Sequence, residues 1–228
     1  MSEQLVLPIL QTAEMTFDNF YALENEEAVS TIKETIEGNK QNSFFIAGPH
    51  GVGKTHLLHA AVNMQRDNYV SAAYISMRWS NWYDSLDGLD PSGLICIDDL
   101  DKIECDLHKQ EIIFHLFNQV LDSNGIMILA ASKTPVNMQL ELADLASRLS
   151  WGVVFKLSEL LDEQIPLVLH NLAFDIGLSL SREVINFLLT RCSRKLVDLI
   201  AIIKILDKAS LSERRRVTVP FVKDVLGI

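Results

Sequence analysis

Positive charge is scarce in this chain: 20 lysines and arginines stand against 30 aspartates and glutamates, a net charge of −10 at neutral pH. Duplex nucleic acid is held mainly by cationic side chains that neutralise phosphates. A chain with this balance lacks the overall field of a stand-alone DNA binder, although a local basic patch is compatible with it. Cysteine is scarce too. Cys96, Cys105 and Cys192 form no CxxC pair, and an odd number makes no disulfide framework. All three are expected to be small buried or partly buried side chains. No apolar run approaches the ~20 residues that a membrane span requires, so no membrane partner is expected. The opening Met1-Ser2-Glu3-Gln4 lacks the basic and apolar regions of a signal peptide, which points to the cytoplasm. No internal repeat or low-complexity tract is present.

What is there is ordinary globular composition, 48% hydrophobic and 22% charged. A compact chain of 228 residues buries roughly three quarters of its unfolded surface and needs no metal or disulfide staple. Residues 1–15 show no helical period and read as an extended arm. Asn25 to Glu37 has a polar cap, an acidic first turn and apolar Ala28, Val29, Ile32 and Ile36 on one face, which predicts a helix ended by Gly38. Strands are predicted at Ser43 to Ala47, Ser71 to Ser76, Leu94 to Ile97, Ile126 to Ala131 and Trp151 to Leu157. Helices are predicted at Lys54 to Gln65, Leu107 to Leu121 and Asn137 to Leu149, with a short aromatic segment at Trp79 to Leu86. Strands alternating with helices predict an α/β fold, a parallel five-stranded sheet covered on both faces. After Leu157 the pattern turns helical, over Asp162 to Ile176, Ser181 to Cys192 and Lys195 to Leu211, with Val217 to Val219 as the one further strand candidate. The expected organisation is an arm over 1–15, an α/β nucleotide domain over 16–157 and a helical lid over 158–228.

Gly48-Pro49-His50-Gly51-Val52-Gly53-Lys54-Thr55 matches G-x-x-x-x-G-K-[ST] in full, between a strand and a helix. Glycines let the backbone curl so that several N–H groups face one anion, and the following helix adds its positive end. Lys54 is then expected to reach the β and γ phosphates of ADP or ATP, and the Thr55 hydroxyl to ligate Mg²⁺. Asp98 and Asp99 close the apolar strand Leu94-Ile95-Cys96-Ile97. In a P-loop fold that is where a carboxylate faces magnesium, so Asp98 is expected to hold the metal and Asp99 to polarise an attacking water. His56 and His59, one turn apart on the helix, are expected to pack rather than catalyse.

Gly53-Lys54-Thr55-His56-Leu57-Leu58-His59-Ala60 resembles the bacterial replication initiator DnaA and its relatives, and so does Thr16-Phe17-Asp18-Asn19-Phe20, with Asn25 at the matching place. The resemblance runs from Gln4 to Ile228 and implies the AAA+ class of P-loop ATPases. It implies that Phe17 and Phe20 lie against the adenine side of the nucleotide. It sets Ser132 at the sensor 1 position, where the initiator carries an acidic residue. Arg194, in Ser193-Arg194-Lys195-Leu196, resembles the sensor 2 arginine that reaches from the lid to the phosphates. Arg148, in Ala146-Ser147-Arg148-Leu149-Ser150-Trp151-Gly152, resembles the family's arginine finger.

Two elements by which the initiator grips DNA find no match. No helix-turn-helix domain is expected after the lid, and the connection from Ser76 to Asp98 is shorter than the initiator's helical insertion. The ending Val217-Thr218-Val219-Pro220-Phe221-Val222-Lys223 resembles the family's regulators, which inactivate the initiator. Gln4-Leu5-Val6-Leu7-Pro8 resembles the peptides that dock on the replicative sliding clamp, with Gln4, Leu5, Leu7 and Pro8 as the contacts. The resemblance therefore implies a regulator partnered by DnaA and by the clamp, touching DNA through the clamp, with weak intrinsic ATPase at most. Self-association through Arg148 is the alternative to pairing with DnaA. A helicase-loader-like or initiator-like ATPase is the alternative function, and a small-metabolite kinase a more distant one. Arg214-Arg215-Arg216 reads as a solvated loop, with a DNA-backbone patch as the alternative and a catalytic lid the least favoured reading.

Overall fold

The computed structural model describes residues 15–38, 40, 42–68 and 70–228. The clamp-peptide residues Gln4, Leu5, Leu7 and Pro8 lie outside them. The first unit comprises α1 (Glu26–Glu37), β1 (Asn42–Ala47), α2 (Lys54–Asp67), β2 (Ala72–Ser76), β3 (Leu94–Asp98), α3 (Leu107–Asp122), β4 (Ile126–Ala131), α4 (Ala143–Trp151) and β5 (Val153–Lys156). The strands form one parallel sheet in the order β2-β3-β4-β1-β5. Side chains alternate across each strand. Phe44 and Ile46 therefore join Ile32, Leu57 and Leu58 on the α1–α2 face. Phe45 and Ala47 join Ile113, Phe117, Leu145 and Leu149 on the α3–α4 face. Both faces are buried, which is why β1, β3 and β4 read as continuous apolar runs.

Four further helices follow: α5 (Ile165–Asp175), α6 (Arg182–Arg191), α7 (Leu196–Glu213) and α8 (Val219–Leu226). They enclose their own core of Leu169, Leu188, Leu199, Leu206 and Phe221.

Several expectations need correction. Asn25 does not cap α1. Its amide Nδ2 donates to the Ser158 carbonyl at 3.0 Å, and its Oδ1 accepts from the Ser158 N–H at 2.8 Å. The helix expected over Asn137 to Leu149 is only a turn at Pro135–Asn137 and then α4. The buried Gln110 explains the gap. Its Oε1 accepts from the N–H groups of Glu141 and Leu142, both at 2.9 Å, and holds that stretch away from helical hydrogen bonding. Trp151 belongs to α4, not to the last strand. Gly152 ends the helix where a Cβ would stand 2.3 Å from the Ser43 carbonyl, and the strand starts at Val153. Val217 to Val219 form no strand. Thr218 accepts from the Phe221 N–H at 3.4 Å, Pro220 sits in the first turn, and α8 begins. Cys96 is buried and Cys192 half-buried as expected, but Cys105 is exposed at a loop position with φ 57°.

Candidate functional site

The loop between β1 and α2 is shaped by backbone that only glycine adopts cheaply. Gly51 has φ 86° and Gly53 φ 103°. A Cβ on Gly53 would also stand 2.5 Å from the Phe20 ring, so loop and upstream segment are packed as one piece. The loop is tied to the sheet by Gly48 N–H donating to the Ala131 carbonyl at 3.2 Å. Lys54 Nζ bends back to donate to the carbonyls of Gly48 at 2.7 Å and Pro49 at 2.9 Å. Burial pulls the Lys54 ammonium below its ordinary value. The carboxylates of Asp98, Asp101 and Asp99 oppose this, and Arg78 adds to the lowering.

Asp98 is 2% exposed. Its Oδ2 accepts from Thr55 Oγ1 at 2.5 Å and from the Tyr74 hydroxyl at 3.1 Å, and its Oδ1 accepts from the Asp99 N–H at 2.8 Å. Asp99, with φ 57°, turns away from it. Asp99 Oδ1 pairs with Arg78 Nε at 2.7 Å, and Oδ2 accepts from Ser76 Oγ at 2.9 Å. Ser132 is held at the end of β4 by Asp101, which accepts from the Ser132 N–H at 2.8 Å and from its hydroxyl at 2.7 Å.

Thr16 to Phe20 lie across α2. His56 Nε2 sits 2.9 Å from both the Thr16 carbonyl and Asn19 Oδ1. Two acceptors require that this nitrogen carries its proton. Phe20 meets the His56 ring edge-on at 5.3 Å. Burial lowers the His56 pKa, the bond to Thr16 opposes it, and His59 adds to it. His59 stacks on Tyr74 with ring centres 4.0 Å apart, and its pKa is also lowered by burial, against the pull of Asp98.

Two adjoining cavities, of about 400 and 530 Å³, open between this loop and the C-terminal helices. His50, Gly51 and Val52 line both, opposite Leu160, Leu196 and Val197. The larger also reaches Phe20, Gly53, Lys54, Thr55, His56, Asp98 and Asp99, and the smaller reaches Arg194. Arg194 Nη1 is paired with Asp162 at 2.6 Å, both side chains exposed. The structure thus brings His50 to Thr55 of the loop, Phe20, His56, Asp98, Asp99 and Arg194 to one cleft, while Gly48 and Pro49 lie outside its lining. Phe17 is not part of its lining and packs against the α1–α2 core. Ser132 stands at the strand end outside the lining. Arg148 belongs to neither lining. It occupies the last turn of α4, exposed, with no ion pair among the described residues.

Sequence reasoning missed Tyr74, Ser76, Arg78 and Asp101. No local sequence signal marks them, because it is the pairing of β2 with β3 that sets Ser76 beside Asp98 and Tyr74 beside Cys96.

The model of the bacterial DnaA ATPase domain matches residues 11–86 and 67–156. The chain belongs to the bacterial DnaA family. Residues 162–226 match the model described as the lid domain of Hda. A Haemophilus influenzae protein described as uncharacterized is 37% identical over 231 residues, spanning all of both chains. Among solved structures, domain III of the Thermotoga maritima replication initiation protein DnaA superposes with a TM-score of 0.80 at 22% identity, over 94% of this chain and 96% of that one. AMPPCP-bound DnaA from Aquifex aeolicus gives 0.70 at 23%, over 90% and 71%. The Thermotoga maritima RuvB Holliday junction branch migration motor gives 0.64 at 14%, over 93% and 73%, a likeness of fold alone. The sheet order and the helical lid are thus those of a DnaA-family AAA+ fold.

Proposed function

We propose that this chain binds ADP or ATP in the cleft and regulates replication initiation by acting on DnaA. Binding is supported by the positive-φ glycines, the inward Lys54 and the cavity they line. The AMPPCP-bound DnaA structure supports it from outside the chain. Thr55 and Asp98 have the hard oxygen donors that suit Mg²⁺, which would supply charge neutralisation at the phosphates. Among the described residues no three His, Cys, Asp or Glu side chains converge as a metal site, so such an ion would lean on the nucleotide's own oxygens.

The observation that carries the regulatory reading is Arg148. It is exposed, unpaired among the described residues and absent from its own chain's cleft. A guanidinium there is free to face a triphosphate held by another molecule. Arginine supplied in trans stabilises charge on a transferring phosphoryl group and is worth about 10³–10⁵ in rate. The partner is DnaA bearing ATP, and the outcome is ADP-bound DnaA. The segment Gln4 to Pro8 is the clamp tether, raising the local concentration so that a weak direct contact suffices. The boundary between nucleotide domain and lid lies near residue 158, and intrinsic hydrolysis is slow.

The test is hydrolysis of DnaA-bound ATP with this protein, clamp and DNA. Arg148→Ala is expected to keep nucleotide binding and lose the stimulation, and equal stimulation by the variant removes the mechanism. Deleting residues 4–8 is expected to abolish clamp capture.

A further inference from the structure

Asp98 is crowded in a way that the phosphate-loop pattern does not require. An ionised carboxylate offers about four lone-pair positions. Three are filled from within the chain. Oδ2 takes both the Thr55 and the Tyr74 hydroxyls, and Oδ1 takes the Asp99 N–H. Asp98 is acceptor-only when ionised, so both hydroxyls must donate. Tyr74 is itself fixed on two sides: His59 stacks on its ring at 4.0 Å, and Trp79 meets it edge-on at 5.7 Å. Burial, then the charge and hydrogen bond of Asp98, push the phenol pKa up, so it remains a neutral donor. Tyr74 and Asp98 both line the larger cavity, on the wall that carries Thr55.

We infer that Tyr74 is a positioning residue that limits the coupling between nucleotide and divalent cation, by occupying the second acceptor position on Asp98 Oδ2. This rests on the nucleotide reading given above. Thr55 can donate its proton to Asp98 and still offer its oxygen to a cation. The Tyr74 hydroxyl donates to that same Oδ2 and fills its second lone-pair position. A hydrated cation approaching Asp98 therefore finds one open acceptor position instead of two. The consequence is a chain that retains nucleotide with little dependence on magnesium.

Tyr74→Phe removes the hydroxyl and keeps the ring between His59 and Trp79. The measurement is ADP affinity by calorimetry on the full chain, with excess Mg²⁺ and with chelator. In the parent chain the two affinities are expected to lie within a few-fold of each other. In Tyr74→Phe the chelator value is expected to stay put while the Mg²⁺ value tightens by about tenfold, the size of one hydrogen bond to a charged group. Mn²⁺ resonance in the ADP complex gives a second readout, with a lower cation dissociation constant expected in the variant. Coupling that is unchanged or weaker in Tyr74→Phe overturns the inference while leaving the nucleotide reading intact. A parent chain that binds no ADP in either buffer overturns both. A circular dichroism melt that matches the parent excludes loss of fold as the cause.

Discussion

Arg78 holds Asp99 by a 2.7 Å contact between its Nε and the carboxylate Oδ1, while Ser76 takes the other oxygen. Of the two consecutive aspartates, only Asp98 faces Thr55, and the second is engaged elsewhere. Arg78 is 58% exposed, so the pair is worth roughly 0–1 kcal/mol and its loss should barely move the melting temperature. Under the proposed function, Arg78→Ala is expected to raise intrinsic ATP hydrolysis severalfold by freeing Asp99, and Asp99→Asn added to it should cancel the gain. Phosphate release by the purified variants checks both. Unchanged release in Arg78→Ala would show that Asp99 takes no part in activating water.

Gly53 combines φ 103° with a Phe20 ring in the space of any Cβ. Gly53→Ala is expected to cost about 1–3 kcal/mol from the left-handed backbone alone, with the clash added. Adding Phe20→Ala relieves the clash and leaves the backbone strain. Urea unfolding of both single variants and the double should therefore show a favourable interaction term. Strict additivity would mean that ring and loop do not meet.

Asn25 is buried and satisfies both backbone groups of Ser158. Asn25→Ala leaves them without that partner and is expected to cost about 1–3 kcal/mol. Asn25→Asp keeps the acceptor and sets a carboxylate oxygen against the Ser158 carbonyl, so it should be at least as harmful. A stability for Asn25→Asp equal to the parent would contradict the bidentate arrangement.

His56 and His59 give the stability a defined pH dependence. Burial lowers both pKa values from about 6.5, so below that pH the unfolded chain binds the protons that the folded chain refuses. Stability from these groups is complete above the unfolded value. It is lost as the pH falls from about 6.5 towards the depressed folded values. Denaturation midpoints measured in steps from about pH 8 to pH 5 should fall over the lower half, and His56→Gln should flatten but not abolish the slope. A midpoint that rises on acidification would sink the assignment of neutral, half-buried rings.

The sheet was legible because β1, β3 and β4 are buried on both faces and carry nothing but apolar residues through their middles. The loop was legible because its glycines and lysine sit at fixed spacing. What the residues withheld were long-range polar bonds. Asn25 has the composition of a helix cap, and only the fold brings Ser158, 133 residues away, to its amide. Gln110 looks like an ordinary surface position of α3, yet it organises the chain before α4. Tyr74 and Arg78 reach the aspartates through strand pairing, which no local pattern announces.

The root of the lid is sewn down twice in succession. The Leu157 N–H donates to the Ala47 carbonyl at 2.8 Å, the last residue before the phosphate loop, and Ser158 is clasped by Asn25 on both of its backbone groups. A swing of the four C-terminal helices has no freedom to begin at either residue. The pivot falls to the six residues 159–164 before α5, so the nucleotide pocket opens about an axle bolted to its own floor.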